Sequence, residues 1–181
     1  MSLGLESGAV RLVEYDLTWP TLFAMEAARL QHACAERRLV LMLEHTGSTA
    51  VPGLCAKPVI DIVAGYAESA AALLYISVLS GAGYVHRGQQ GIPGREFFRR
   101  GNPRAYHVHL TAIGSPFWRD HLTFRDRLRS DATLRDAYAA LKRDLAMRFP
   151  RDREAYIAGK APFVNEILDR PPYSPPRGRS G

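Results

Sequence analysis

Apolar and polar positions recur with two different periods along this chain, and the switches between them mark its elements. Residues 10–15 (VRLVEY) are β-branched and alternating, which predicts a first strand. Trp19-Pro20 then opens a helix in which Leu22, Phe23, Glu26, Ala27, Leu30 and Ala33 form one stripe at helical spacing. Two apolar runs, residues 39–45 before Gly47 and residues 59–64 after Pro58, predict buried strands. Residues 68–80 are rich in alanine and leucine and stop at Gly81, as a helix would. The glycine-rich stretch 88–94 predicts a hairpin loop or mobile flap leading into Arg95-Glu-Phe-Phe-Arg. Residues 106–111 alternate most cleanly: Tyr106, Val108 and Leu110 belong to a packed face, His107, His109 and Thr111 to the other. Leu134, Tyr138, Leu141, Leu145 and Phe149 trace the core stripe of a long helix, capped by Ser130 or Asp131 and ended by Pro150. A shorter helix over residues 151–168 follows.

Composition bounds this picture. With 181 residues, 46% hydrophobic and 23% charged, the chain suits one domain with one core, predicted here over residues 1–168. Residues 169–181 are rich in proline and arginine, lack apolar content and read as a disordered tail. No apolar run approaches the roughly 20 residues of a membrane span, and residues 1–6 lack the features of an export signal. The expectation is a cytoplasmic chain with no membrane partner. Cys34 and Cys55 have no metal or redox spacing and read as buried thiols. The net charge of +6 invites a nucleic-acid partner. Three of those charges lie in residues 170–181, however, and residues 119–154 mix ten basic with seven acidic side chains, so that partner is not expected.

The most informative segment is Glu44-His-Thr-Gly-Ser-Thr, followed at a short interval by Lys57-Pro-Val-Ile-Asp-Ile-Val. A strand ending at Gly47-Ser48-Thr49 lets backbone and hydroxyl groups approach an anion, although a Gly-Ser turn also serves as a plain bend. Asp61 interrupts an apolar strand, where an ionised carboxylate is costly unless it is paired, with Lys57 as one partner, or used. His107 and His109 point the same way from one strand. With Asp61 they suit a transition metal, a phosphate contact or acid–base work, and a hydrogen-bonded surface pair is the plainer reading. Arg95, Arg99, Arg125, Lys142 and Lys160 are candidate phosphate partners, arginine as a bidentate fork and lysine as a point charge. In Phe124-Arg-Asp-Arg, Asp126 can instead do no more than orient an arginine, and His45 must face away from Glu44.

The turn and the strand aspartate resemble the signature of nucleotidyltransferase-fold proteins. More narrowly, the chain resembles the GrpB family through Tyr15-Asp-Leu-Thr-Trp-Pro, Glu44-His-Thr-Gly-Ser-Thr-Ala-Val-Pro-Gly-Leu, Ala56-Lys-Pro-Val-Ile-Asp-Ile, Arg95-Glu-Phe-Phe, His107-Val-His-Leu, Phe124-Arg-Asp-Arg-Leu-Arg and Tyr138 to Lys142. The resemblance covers about residues 10–168. It implies an α/β (α+β) fold with a mixed twisted sheet flanked by helices and the C-terminal helices beside the core. It also implies phosphates held at Gly47, Ser48 and Thr49, and magnesium at Asp61. One departure matters: a second acid two residues along the strand is usual, since two metals are held roughly 3.5–4 Å apart, and Val63 stands there. Glu44 or Glu96 would have to supply it. The expected function is therefore binding of a nucleotide or related phosphorylated small molecule, with magnesium-dependent nucleotidyl transfer limited by an incomplete acid set. The alternatives are a metal-dependent hydrolase using Asp61, His107 and His109 with a transition metal, and a non-catalytic interaction domain.

Overall fold

The computed structural model describes residues 3–6, 9–67 and 72–169. Helix α1 (Trp19–Ala35) starts at Pro20 in the first turn and precedes strand β1 (Met42–Thr46), a 3-10 turn (Ser48–Ala50) and β2 (Ile60–Tyr66). Helix α2 (Ala72–Gly81), β3 (Val85–His86), β4 (Arg95–Arg100) and β5 (Tyr106–Ala112) follow, then α3 (Pro116–Ser130), α4 (Ala132–Arg148) and α5 (Arg153–Ile167).

The sheet order is β1-β2-β5-β4-β3, mixed, with β2 and β5 parallel and the other pairs antiparallel. Alternation decides its two faces. Ile60, Ile62, Ala64, Val108, Leu110 and Phe98 are buried against Trp19, Leu30 and Cys34 of α1 and Tyr75 and Leu79 of α2. Asp61, His107 and His109 fall on the opposite face. There α3 covers one end of the strands. A methyl group at Gly65 would meet Trp118 Cζ3 at 2.5 Å, so this strand position has to lack a side chain. The C-terminal helices close beside the sheet through a second core of Val51, Leu54, Cys55, Leu128, Tyr138, Ala139 and Ile167. Both cysteines are buried free thiols, and among the described residues no helix is long and apolar enough to cross a membrane.

One expectation changes, and one helix was not foreseen. Residues 10–15 form no strand: Val13 makes a single antiparallel bridge to Ala56. Their alternation is satisfied by two different cores, Val10 packing with Leu145 and Tyr156 while Val13 meets the sheet side. Helix α3 was not legible, because PFWRDHLTFRDRLRS is mostly polar. Pro116 at its start and the Ser115 hydroxyl, which accepts from Trp118 N, begin the helix, and only Trp118 and Leu128 are buried. The last helix, α5, spans Arg153–Ile167 and at 15 residues is shorter than the 17 of α4, as expected. Residues 68–71 of the expected second helix and the tail 170–181 lie outside the described residues. The long helix is capped as expected, the Asp131 carboxylate accepting from Leu134 N.

Candidate functional site

The strand register sets the cleft face in rows. Thr46, Asp61, His107 and Arg99 lie side by side across β1, β2, β5 and β4; Glu44, Val63, His109 and Phe97 form the next row; Met42, Gly65, Thr111 and Arg95 the third. Since α3 covers the third row through Gly65, the first remains open. Lys142 from α4 and Tyr156 and Lys160 from α5 form the facing wall of a cavity of about 590 Å³. Of the residues expected at the site, the structure gathers Gly47, Ser48, Thr49, Lys57, Asp61, Arg95, His107, His109, Lys142 and Lys160 around this one cavity. Arg125 is not on its wall. Its guanidinium donates to Glu44 Oε2 at 2.7 Å, Asp126 Oδ1 at 2.7 Å and the His45 carbonyl at 3.0 Å, tying α3 to β1.

The turn is folded tightly onto the acid. Gly47 has φ 67° and ψ −172°, a region open essentially to glycine alone, and a methyl group there would lie 2.7 Å from Asp61 Oδ2. Asp61 Oδ1 accepts from His107 Nδ1 at 2.9 Å. About a third (34%) of the Asp61 side chain is exposed. Burial pushes its pKa up, but the His107 hydrogen bond and nearby positive charge outweigh that and bring it down to about 2. An ionised carboxylate only accepts, so His107 Nδ1 carries the proton of this bond. His107 Nε2 is then left buried without a partner. Lys57, the partner considered from sequence, instead sits 5.2 Å over the Tyr156 ring.

His109 does not join Asp61. Its ring stacks on Phe97 at 5.0 Å and its Nδ1 is 3.4 Å from Arg95 Nη1, and burial holds its pKa well below the usual imidazole value. Among the described residues no group of three or more His, Cys, Asp or Glu side chains is placed to hold a metal ion. The Asp61, His107 and His109 ligand set for a transition metal is thus not assembled, because neighbouring rows send the two imidazoles to different partners. Neither substitute acid stands beside Asp61 unpaired. Glu44 faces the cleft side opposite Val63 but is engaged by Arg125, and Glu96, opposite Leu110, pairs with His86 at 2.7 Å on the other face. His45 faces away from the cleft, stacked on Phe23 at 4.8 Å and bonded to the Thr49 hydroxyl at 3.0 Å.

Lys142 is only 1% exposed. Its Nζ donates to Ser48 Oγ at 3.0 Å and to the Cys55 carbonyl. Burial lowers its pKa to about 7 and that of Lys160 to about 8. Arg104, Arg153, Phe117, His121 and Tyr156 also line the cavity. Sequence reasoning did not single these out as site residues. They lie in polar stretches with no motif, and only the β4–β5 turn and the packing of α3 and α5 carry them here. In all, Lys57, Arg95, Arg99, Arg104, Lys142, Arg153 and Lys160 face one carboxylate, Asp61.

The model of the family described as GrpB protein matches residues 9–170. The UPF0157 protein BH1888 of Halalkalibacterium halodurans is 36% identical over 91% of this chain and 83% of its own length. The UPF0157 protein YqkA of Bacillus subtilis is 33% identical over 86% of this chain, which spans only 45% of that relative. A dephospho-CoA kinase of Mycolicibacterium paratuberculosis is 31% identical over 89% of this chain and 46% of its own length. In three dimensions, the crystal structure of conserved protein GrpB from Enterococcus faecalis superposes with a TM-score of 0.78 at 31% identity, covering 88% of this chain and 95% of that one. The Cid1 poly(U) polymerase with Mg 3′-dATP bound superposes at 0.53 and 14% identity, covering 81% and 49%. The second likeness establishes the nucleotidyltransferase-like fold.

Proposed function

The chain belongs to the GrpB family, and on that premise we propose that its cleft binds a nucleotide or a related phosphorylated small molecule. The observation that carries this reading is the charge of the cleft: seven cationic side chains and a single carboxylate line one cavity. Such crowding is unfavourable unless an anion fills it. Gly47 and Ser48 border the phosphate end, where the buried Lys142 donates to the Ser48 hydroxyl, and Lys160 and Arg95 add charge. Arg95 Nε is buried without a partner and fits an incoming oxygen. The open cavity removes the support a filled cleft would have lent to an interaction domain.

One magnesium ion fits these residues and two do not. Asp61 is ionised and partly exposed, and magnesium commonly takes one or two protein carboxylates with waters and substrate phosphates. Bound there, it would spread the phosphate charge. Val63 is apolar and fully buried, so the second metal of a two-metal transfer has no carboxylate on this strand. His107 Nε2, oriented by Asp61, can accept a proton from a ligand hydroxyl.

Calorimetric titration of ATP, ADP and dephospho-coenzyme A with magnesium present tests the proposal. Binding is expected for the native chain, weaker by about tenfold or more for Ser48→Ala, and insensitive to magnesium for Asp61→Ala. Pyrophosphate release from nucleoside triphosphates should stay near background. No binding of any of these ligands would overturn the proposal, and rapid Asp61-dependent pyrophosphate release would overturn the weak-transfer part of it.

The buried lysines give a pH signature. Lys142 and Lys160 lose their charge as pH rises through about 7 and about 8, and only their charged forms attract phosphate. Affinity for ADP should therefore fall about tenfold or more between pH 7 and 9, where a terminal phosphate with pKa near ~6 is already ionised. Lys142→Met should flatten the first part of that decline, and a decline that persists unchanged would remove Lys142 from the binding site.

A further inference from the structure

We propose that the cleft takes a ligand with two separated anionic groups, one at Ser48 and Lys142 and a second at a site formed by Arg99, Arg104 and Arg153. The inference rests on the phosphate-binding reading above. It extends that reading by assigning a second subsite, and thereby a ligand class: a small molecule phosphorylated at two positions.

The three arginines come from separate parts of the chain. Arg99 lies at the end of β4 beside His107, Arg104 in the turn between β4 and β5, and Arg153 in the first turn of α5. Among the described residues none of them pairs with a carboxylate. Arg104 is 8% exposed, and among the described residues its guanidinium donates only to the Glu6 carbonyl. Arg99 packs over the Phe97 ring at 5.2 Å with its Nε buried and unpartnered. Burial and then repulsion lower the pKa of both: Arg99 feels Arg104, Arg153 and Arg87, and Arg104 feels Arg153, an effect that Asp61 and Glu6 offset only in part. Guanidinium groups stay protonated in proteins, so the repulsion cannot be relieved by losing a proton and is a standing cost to the unliganded fold. A bound dianion would remove that cost and satisfy the idle donors, and the planar fork suits phosphate.

The cluster is distinct from the Ser48 end. Lys142 is repelled by Lys160 and Lys57, and each of those in turn by Arg153, so positive charge runs along the cleft from one end to the other. Beyond it, a second cavity of about 260 Å³ shares Arg99 and Arg104 with the first, leaving room for the distal group. Gly47 and Asp61 lie at the near end and do not border this second cavity.

Three measurements on the full chain test the second subsite. Crystals soaked in sodium tungstate should show two tungstate ions, one against Ser48 and Lys142 and one against the three arginines. In solution at fixed ionic strength, adenosine 3′,5′-bisphosphate should bind at least about tenfold tighter than AMP. Arg99→Gln combined with Arg153→Gln should erase that preference, weakening the bisphosphate at least about tenfold more than it weakens AMP. The same variant without ligand should melt no lower than the native chain, since it loses repulsion and no ion pair; a purely structural arginine pair would lower the melting temperature. Tungstate at the Ser48 end alone, with equal affinity for AMP and the bisphosphate, would overturn the second subsite and leave the proposed function standing. Neither tungstate nor either nucleotide binding would overturn both.

Discussion

Gly47→Ala is expected to destabilise the protein by about 2–6 kcal/mol and to abolish phosphate binding. A residue held at φ 67° and ψ −172° costs of order 1–3 kcal/mol when it carries a side chain. The added methyl would also approach Asp61 Oδ2 to 2.7 Å, and overpacking of that kind adds about 1–3 kcal/mol. Asp61 can give way only by turning from His107, which breaks the 2.9 Å bond that holds both groups at the cleft. Urea denaturation measures the first effect and ADP titration the second. Combining Gly47→Ala with Asp61→Ala separates the terms in part, because the 2.7 Å approach to Oδ2 disappears with the carboxylate while the 3.1 Å contact to the Cβ of residue 61 and the backbone part remain. A loss below about 1 kcal/mol with binding intact would show that the turn does not need a glycine.

Glu26→Ala should be nearly as damaging, at about 2–4 kcal/mol, although it lies far from the proposed chemistry. Glu26 is 5% exposed within the apolar stripe of α1 and accepts from Arg29 Nη2 at 2.6 Å, Arg100 Nη1 at 2.5 Å and the Tyr84 hydroxyl at 2.8 Å. Removing one member of a buried charged network leaves the others unsatisfied and typically costs about 3–5 kcal/mol. The figure is discounted here because Arg29 and Arg100 are 38% and 35% exposed and can rehydrate. Burial raises the Glu26 pKa, but the bonds from Arg29 and Tyr84 outweigh it and the net shift is downward. A depressed folded-state pKa contributes stability above the unfolded value near ~4.3 and loses it as pH falls through the folded one. Glu26→Gln, which keeps an acceptor but no charge, should lie between native and Glu26→Ala at pH 7 and lose less on acidification. Equal stability of native and Glu26→Ala at pH 7 would show that this network adds nothing.

Much of the site could be read in the sequence because the relevant signals are local. A Gly-Ser turn after a strand, an acid inside an apolar run and two histidines in strict alternation each depend on neighbours a few residues away. The strand faces follow from a period of two, and Tyr106, Val108 and Leu110 against His107, His109 and Thr111 fell as that period requires. The same local reading placed Glu26 on an apolar stripe without a reason for it, since Arg100 and Tyr84 are 74 and 58 residues away. Lys142 likewise read as a candidate phosphate partner, with nothing in the sequence to give it Ser48 as a neighbour. Only the packing of α4 against the turn drives its amine to Ser48.

Pattern and motif by themselves therefore determined the order of most of the elements and the packed face of the sheet, and they singled out Asp61, His107, Gly47 and Ser48 as candidate site positions. The tertiary structure alone decided which charges meet. It sent Arg125 to Glu44 and stacked His109 on Phe97 without a bond to Asp61. It left Val63 without an unpaired acid beside it, and it brought Arg99, Arg104 and Arg153 from the end of a strand, a turn and the start of a helix to one wall. The physical reason is range. Periodicity and turn chemistry act between residues near in sequence, whereas electrostatics and burial act between residues near in space. For side chains drawn from residues 57 to 160, only the folded chain sets that nearness.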